Sequence, residues 1–85
     1  MTTMIEDFDD VVTPEPVYWL SPLGGFDDFG QPYKGVMYDA KTKFGYWANM
    51  TEESYQKYRY YQWLGLGKGQ KYVEQADGRW LKVEG

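Results

Sequence analysis

The spacing of apolar residues changes from segment to segment along this chain, and each change marks an element. Val17, Tyr18, Trp19 and Leu20 form a short β-branched and aromatic run bounded by Pro16 and Pro22, which predicts a strand. Residues 21–33 carry Pro22, Gly24, Gly25, Gly30 and Pro32, so the pattern predicts a long loop displaying Leu23, Phe26 and Phe29 beside Asp27 and Asp28. Loops of this length in compact domains often carry function. Residues 35–39 and 43–48 then read as the arms of a hairpin around Ala40-Lys41-Thr42, with Val36, Tyr38, Phe44, Tyr46 and Trp47 supplying strand-favouring side chains.

A helix begins after Asn49 and Met50. Thr51 can cap free N–H groups, and Glu52 and Glu53 follow where the helix dipole favours acids. No Pro or Gly interrupts residues 52–64, so the helix is expected to reach Trp63 or Leu64 and stop at Gly65. On a 3.6-residue period Tyr58, Tyr60, Tyr61 and Leu64 form a broad stripe for packing on a sheet. Tyr55, Arg59 and Trp63 fall on the opposite side as an i, i+4, i+8 ladder in which Arg59 lies between two rings. Residues 65–69 are a glycine-rich connection. The final arms, 71–76 and 79–83, flank Asp77-Gly78, a strong hairpin signal, and the alternation points Leu81 and Val83 at the core. The expected fold is α+β: a small antiparallel sheet of four or five strands, in the order hairpin, helix, hairpin, with one packed α-helix.

Composition sharpens this picture. A chain of 85 residues supports one domain and one core. Nine Tyr, four Trp and four Phe must build much of that core, because Leu and Ile are scarce. Residues 1–16 read as an acidic N-terminal arm and 17–85 as the domain. Within the arm, Ile5, Phe8, Val11 and Val12 are spaced to form one amphipathic helical turn that docks on the domain. Residues 1–33 carry seven acids and no base, whereas residues 34–85 carry nine bases and six acids. That asymmetry hints at an interaction surface, but a solvated acidic tail beside a mildly basic domain is the favoured reading. No apolar run suits a bilayer and the N-terminus lacks the features of a secretory signal, so an intracellular, non-membrane setting is expected.

The absence of His and Cys removes the commonest general base, transition-metal ligands and the strongest nucleophile. Asp27 and Asp28 are adjacent, a poor arrangement for two carboxylates flanking one bond, and the acid-rich stretches lack calcium-loop spacing. Gly65 to Lys71 superficially resembles a phosphate-cradling loop, but it follows a helix and precedes a strand, the reverse of what such a loop requires. No catalytic residue, metal site or cofactor is expected.

Binding remains. The first expectation is a protein-binding module, an inhibitor or adaptor, contacting another protein through Tyr55, Arg59 and Trp63 and through the loop residues Phe26, Asp27, Asp28 and Phe29. Small acidic bacteriophage proteins that inhibit CRISPR nucleases, restriction enzymes or repair enzymes, some by mimicking DNA, are similar in size and charge. No motif ties this chain to a family. The second is single-stranded nucleic-acid binding by the C-terminal hairpin, where Lys68, Lys71, Arg79 and Lys82 alternate with Tyr72 and Trp80, against the net charge of -4. The third is a structural or assembly subunit whose exposed aromatics are its contacts.

Overall fold

The computed structural model describes residues 15–85. The docking turn expected around Ile5, Phe8, Val11 and Val12 lies outside the described residues, as does most of the acidic arm.

Strands β1 (Val36–Lys41) and β2 (Trp47–Met50) form the first hairpin, helix α1 (Glu52–Tyr58) follows, and β3 (Gly69–Glu74) and β4 (Trp80–Glu84) form the second. The four strands make one antiparallel sheet in the order β2-β1-β3-β4. The α+β class, the antiparallel sheet and the placement of the helix between two hairpins are therefore as the residue pattern predicts. The turn of the first hairpin is shifted. It spans residues 42–46 rather than 40–42, because buried Thr42 organises it: the Thr42 hydroxyl donates to the Tyr46 carbonyl at 2.7 Å and accepts from Phe44 N–H.

One face of the sheet carries Val36, Tyr38, Ala40, Ala48 and Met50 against Tyr55 of α1. Small Ala side chains let the helix approach closely, and the Tyr38 and Tyr55 rings stack at 4.0 Å in the space that remains. The opposite face carries Met37 and Tyr72, which are register partners. Residues 17–33 lie across this face, with Trp19 edge-on to Tyr72 and Tyr33 edge-on to Trp80. The core is thus a mixture of Tyr, Met and Ala rather than a purely aromatic one.

The same segment covers both borders of the sheet. Val17 and Trp19 bond the outer edge of β4: Lys82 N–H donates to the Val17 carbonyl, and Trp19 N–H donates to the Trp80 carbonyl. Residues 17–20 thus join the sheet by a single bridge, Tyr18 to Leu81, rather than as a full strand. At the other border, Asn49 of β2 donates its N–H to the Asp28 carboxylate and accepts from Asp28 N–H.

Two further expectations are corrected. The helix stops at Tyr58, with Arg59 already extended at its C-cap. The backbone of residues 41–43 competes for the next turn: Lys43 N–H donates to the Tyr58 carbonyl, and Tyr60 N–H to the Lys41 carbonyl. A run of aromatic residues, weak helix formers, offers little resistance to that exchange. Val83 does not enter the core either. A register irregularity between Lys71 and Tyr72 breaks the alternation on which its inward orientation depended, and Val83 is exposed.

Candidate functional site

Asp27 is 6% exposed and is the hub of the 25–33 loop. Its carboxylate accepts from the N–H groups of Phe29, Gln31 and Thr51 and from the Thr51 hydroxyl, at 2.8 to 3.0 Å. Burial alone would raise its pKa, but hydrogen bonds involving Ser54, Thr51, Gln31 and Phe29 hold the carboxyl below its ordinary value. Thr51 in turn caps α1 by accepting from Ser54 N–H. The charge expected on an open loop is spent inside the molecule. Asp28 is exposed but bonded to Asn49, and Phe29 stacks on Tyr58 at 4.2 Å. Only Phe26 of this loop group presents its ring freely to solvent.

The expected helix-face ladder is also dispersed. Tyr55 is a core residue, 5% exposed. Arg59 keeps its place over the Tyr55 ring, 5.7 Å from the centroid. Trp63 is 64% exposed, but it lies on the irregular segment beyond the helix, because the backbone leaves the helical path at Arg59.

The C-terminal hairpin does not form one basic surface. Tyr72 is buried under Trp19, Trp80 packs against Tyr33, and Lys82 lies opposite Tyr72 in the register. Arg79 is paired with Asp77 at 2.8 Å and lies over the Tyr18 ring at 4.1 Å. Lys71 reaches instead over Tyr38, beyond which the Tyr38 hydroxyl donates to Glu52. Lys68 belongs elsewhere, over the Tyr61 ring.

What the fold does bring together is a basic and aromatic end of the sheet. The 42–46 turn pairs with the backbone that follows α1 through the Thr42–Arg59 bridge, and Lys41 N–H donates to the Lys68 carbonyl. Phe29, Tyr58, Phe44 and Tyr46 form a continuous ring contact, with centroids 4.2 to 5.9 Å apart from one ring to the next. Lys43 and Lys57 both lie over Tyr58, and Lys41 lies over Tyr60. Phe44, Tyr46, Trp47, Tyr60 and Trp63 are exposed, and Leu66, at the tip of the 65–69 connection, is 93% exposed.

Charge is segregated in the same place. Residues 40–73 contain six bases, Lys41, Lys43, Lys57, Arg59, Lys68 and Lys71, against two acids, Glu52 and Glu53 at the start of α1. Among the described residues, the one ion pair within 4 Å is Arg79–Asp77, away from this end. A count of charge sign by segment finds this cluster in the sequence alone. Which rings share it depends on where the helix stops, and that is set by tertiary backbone pairing.

Two shallow grooves of about 200 Å³ flank α1, one lined by Phe29, Gln31, Glu53, Ser54, Lys57 and Tyr58, the other by Pro32, Lys34, Val36, Thr51, Glu52 and Glu53. Both are smaller than the roughly 300–1,000 Å³ of typical small-molecule sites. Comparisons with protein-family models, with curated proteins and with solved structures give no match.

Proposed function

We propose that this chain is a non-enzymatic module that binds another protein, as an inhibitor or adaptor, through the basic and aromatic end of its sheet. One observation carries the reading: Phe44, Tyr46, Trp47, Tyr60 and Trp63 remain exposed although the core has taken its share of rings. Tyr, Trp and Arg dominate the energetics of protein interfaces, and large exposed apolar groups gathered at one place mark contact sites. The lack of His and Cys supports a role without catalysis. A phage-type inhibitor of a nucleic-acid enzyme is the sharper form. Any phosphate mimicry in it falls to residues 6–10 and Asp28, because the Asp27 carboxylate is already engaged by Phe29, Gln31 and Thr51.

Affinity capture from the source cells tests the reading. Full-length chain and the Phe44→Ala and Trp63→Ala variants serve as baits, with their melting temperatures measured in parallel. A partner retained by the parent and lost by variants of unchanged stability supports it; equal capture by all three overturns it.

Single-stranded nucleic acid is a second reading, favoured by the same cations: Lys41, Lys43, Lys57, Arg59 and Lys68 flank aromatic rings, the arrangement used for phosphate contact plus base stacking. Titration with a labelled oligonucleotide separates the two readings, because nucleic-acid affinity falls steeply with salt.

A further inference from the structure

The direction in which the chain enters the fold points at the basic end. Val17 lies opposite Lys82 and Trp19 opposite Trp80, so the segment runs antiparallel to β4. Traced backwards from Val17, the chain therefore heads past Glu84. Glu84 pairs with Lys71 at the start of β3, Gly69 pairs with Ala40 near the end of β1, and Lys41 pairs with Trp47 at the start of β2. At Val17 the chain direction thus points toward the end of the sheet that holds Lys41, Lys68, Trp47 and the 42–46 turn.

The N-terminal segment has the complementary chemistry. Residues 5–12 contain Glu6, Asp7, Asp9 and Asp10, no base, and the apolar residues Ile5, Phe8, Val11 and Val12 interleaved with them. The end they approach has Lys41, Lys43, Lys57, Arg59 and Lys68 without an ion-pair partner among the described residues, beside exposed Phe44, Tyr46 and Tyr60. Distance is no obstacle. From the outer side of β4 to β2 is four inter-strand spacings of about 4.8 Å, or about 19 Å. The residues from Val11 to Val17 alone span roughly 20 Å when extended. Tethering also raises the local concentration of the segment toward the millimolar range, so even weak charge pairing is populated.

We infer that residues 5–12 are the first occupant of the basic aromatic end, docking in cis with their acids on Lys41, Lys43, Lys57, Arg59 and Lys68 and their apolar side chains on the exposed rings. The inference rests on the surface assigned above and not on the identity of any partner. A partner that uses this surface must displace the chain's own acidic segment, and an acidic partner competes for the same cations.

The chain has no Cys, so Thr3→Cys provides a single attachment point for a nitroxide on the full-length protein. Paramagnetic loss of amide signal is expected at Lys41, Tyr46, Tyr60 and Lys68, with none at Asp77, Gly78 and Arg79 of the β3–β4 turn. The loss should fall sharply in 1 M salt, where the Debye length is about 3 Å, and in the Glu6→Gln, Asp7→Asn, Asp9→Asn, Asp10→Asn chain. Loss at both ends alike, no loss, or a loss unchanged by neutralising the four acids overturns the inference. So does a loss transferred to unlabelled, isotope-enriched chain in a mixed sample, which would place the segment on a second copy. Each of these outcomes is read without a partner, so failure here leaves the capture experiment above intact.

Discussion

The carboxylate of Asp27 holds the helix start from 24 residues away, accepting from Thr51 N–H at 2.8 Å and from the Thr51 hydroxyl at 3.0 Å. Thr51 is itself the N-cap of α1, so one buried charge fixes the loop and the cap together. Asp27→Ala leaves buried donors unpaired and is expected to cost at least about 1–3 kcal/mol, the scale for an unsatisfied buried polar group, measured by denaturant unfolding. The same bond set gives a pH dependence. Folding lowers the Asp27 pKa, so its contribution is full above the unfolded-state value and is lost as pH falls through the folded value. Parent and Asp27→Asn stability curves should therefore converge in acid.

Asp39 behaves in the opposite sense. Burial, and then the nearby Asp28 charge, push its carboxyl above the ordinary value, so the charged form weakens the fold at neutral pH and protonation relieves it. Asp39→Asn keeps an acceptor for the Asn49 side-chain amide and removes the charge. A higher melting temperature than the parent is expected at pH 7, with the gap closing as acid protonates Asp39. A lower melting temperature at pH 7 would show that its hydrogen bonding outweighs its desolvation.

Tyr55 and Trp63 should separate cleanly in a stability assay. The Tyr55 ring lies parallel to Tyr38, at an interplanar angle of 2°, inside the core. Tyr55→Ala removes that stack and is expected to cost about 3–5 kcal/mol, as for other large aromatic truncations. Trp63→Ala, at an exposed position, should stay within about 0.5 kcal/mol of the parent. Equal losses would mean that Trp63 is packed.

Gly69 is a steric requirement of the β1–β3 pairing. A Cβ there would lie 2.5 Å from the Ala40 Cβ, and its φ of +155° already disfavours side chains. Gly69→Ala is expected to cost about 1–3 kcal/mol, the range for overpacking a core. Gly67→Ala tests the contrast: its position is open, and only its φ of +77° is strained. The two variants compared by thermal melting isolate the clash from the backbone term.

The fold class was legible because its signals are local: Asp77-Gly78 between two strand runs, Thr51 before two acids, and the alternation through Val36 and Tyr38 each specify an element from a few neighbouring residues. The site was less legible for a physical reason. Tyr55, Arg59 and Trp63 make a ladder only if the helix continues, and it ends because distant residues 41–43 take the hydrogen bonds. Likewise Asp27 reads as a surface charge until Thr51, Gln31 and Phe29 are placed around it. Lys41, Lys43 and Lys57 with Phe44 and Tyr58 were within reach of a segment-by-segment charge count, although only the 42–46 turn shows that they share one surface.

Residues 17–33 act as a clasp fastened to both outer strands. An open β-sheet border is a template on which further chains add, and this sheet has two such borders, one occupied by Val17 and Trp19 and the other by Asp28. Because a single stretch of backbone shields both, its two attachments are not independent safeguards. A nick among Ser21, Pro22, Leu23, Gly24 and Gly25, or a register slip there, would loosen them together and turn a self-limiting sheet into one open to extension from either side.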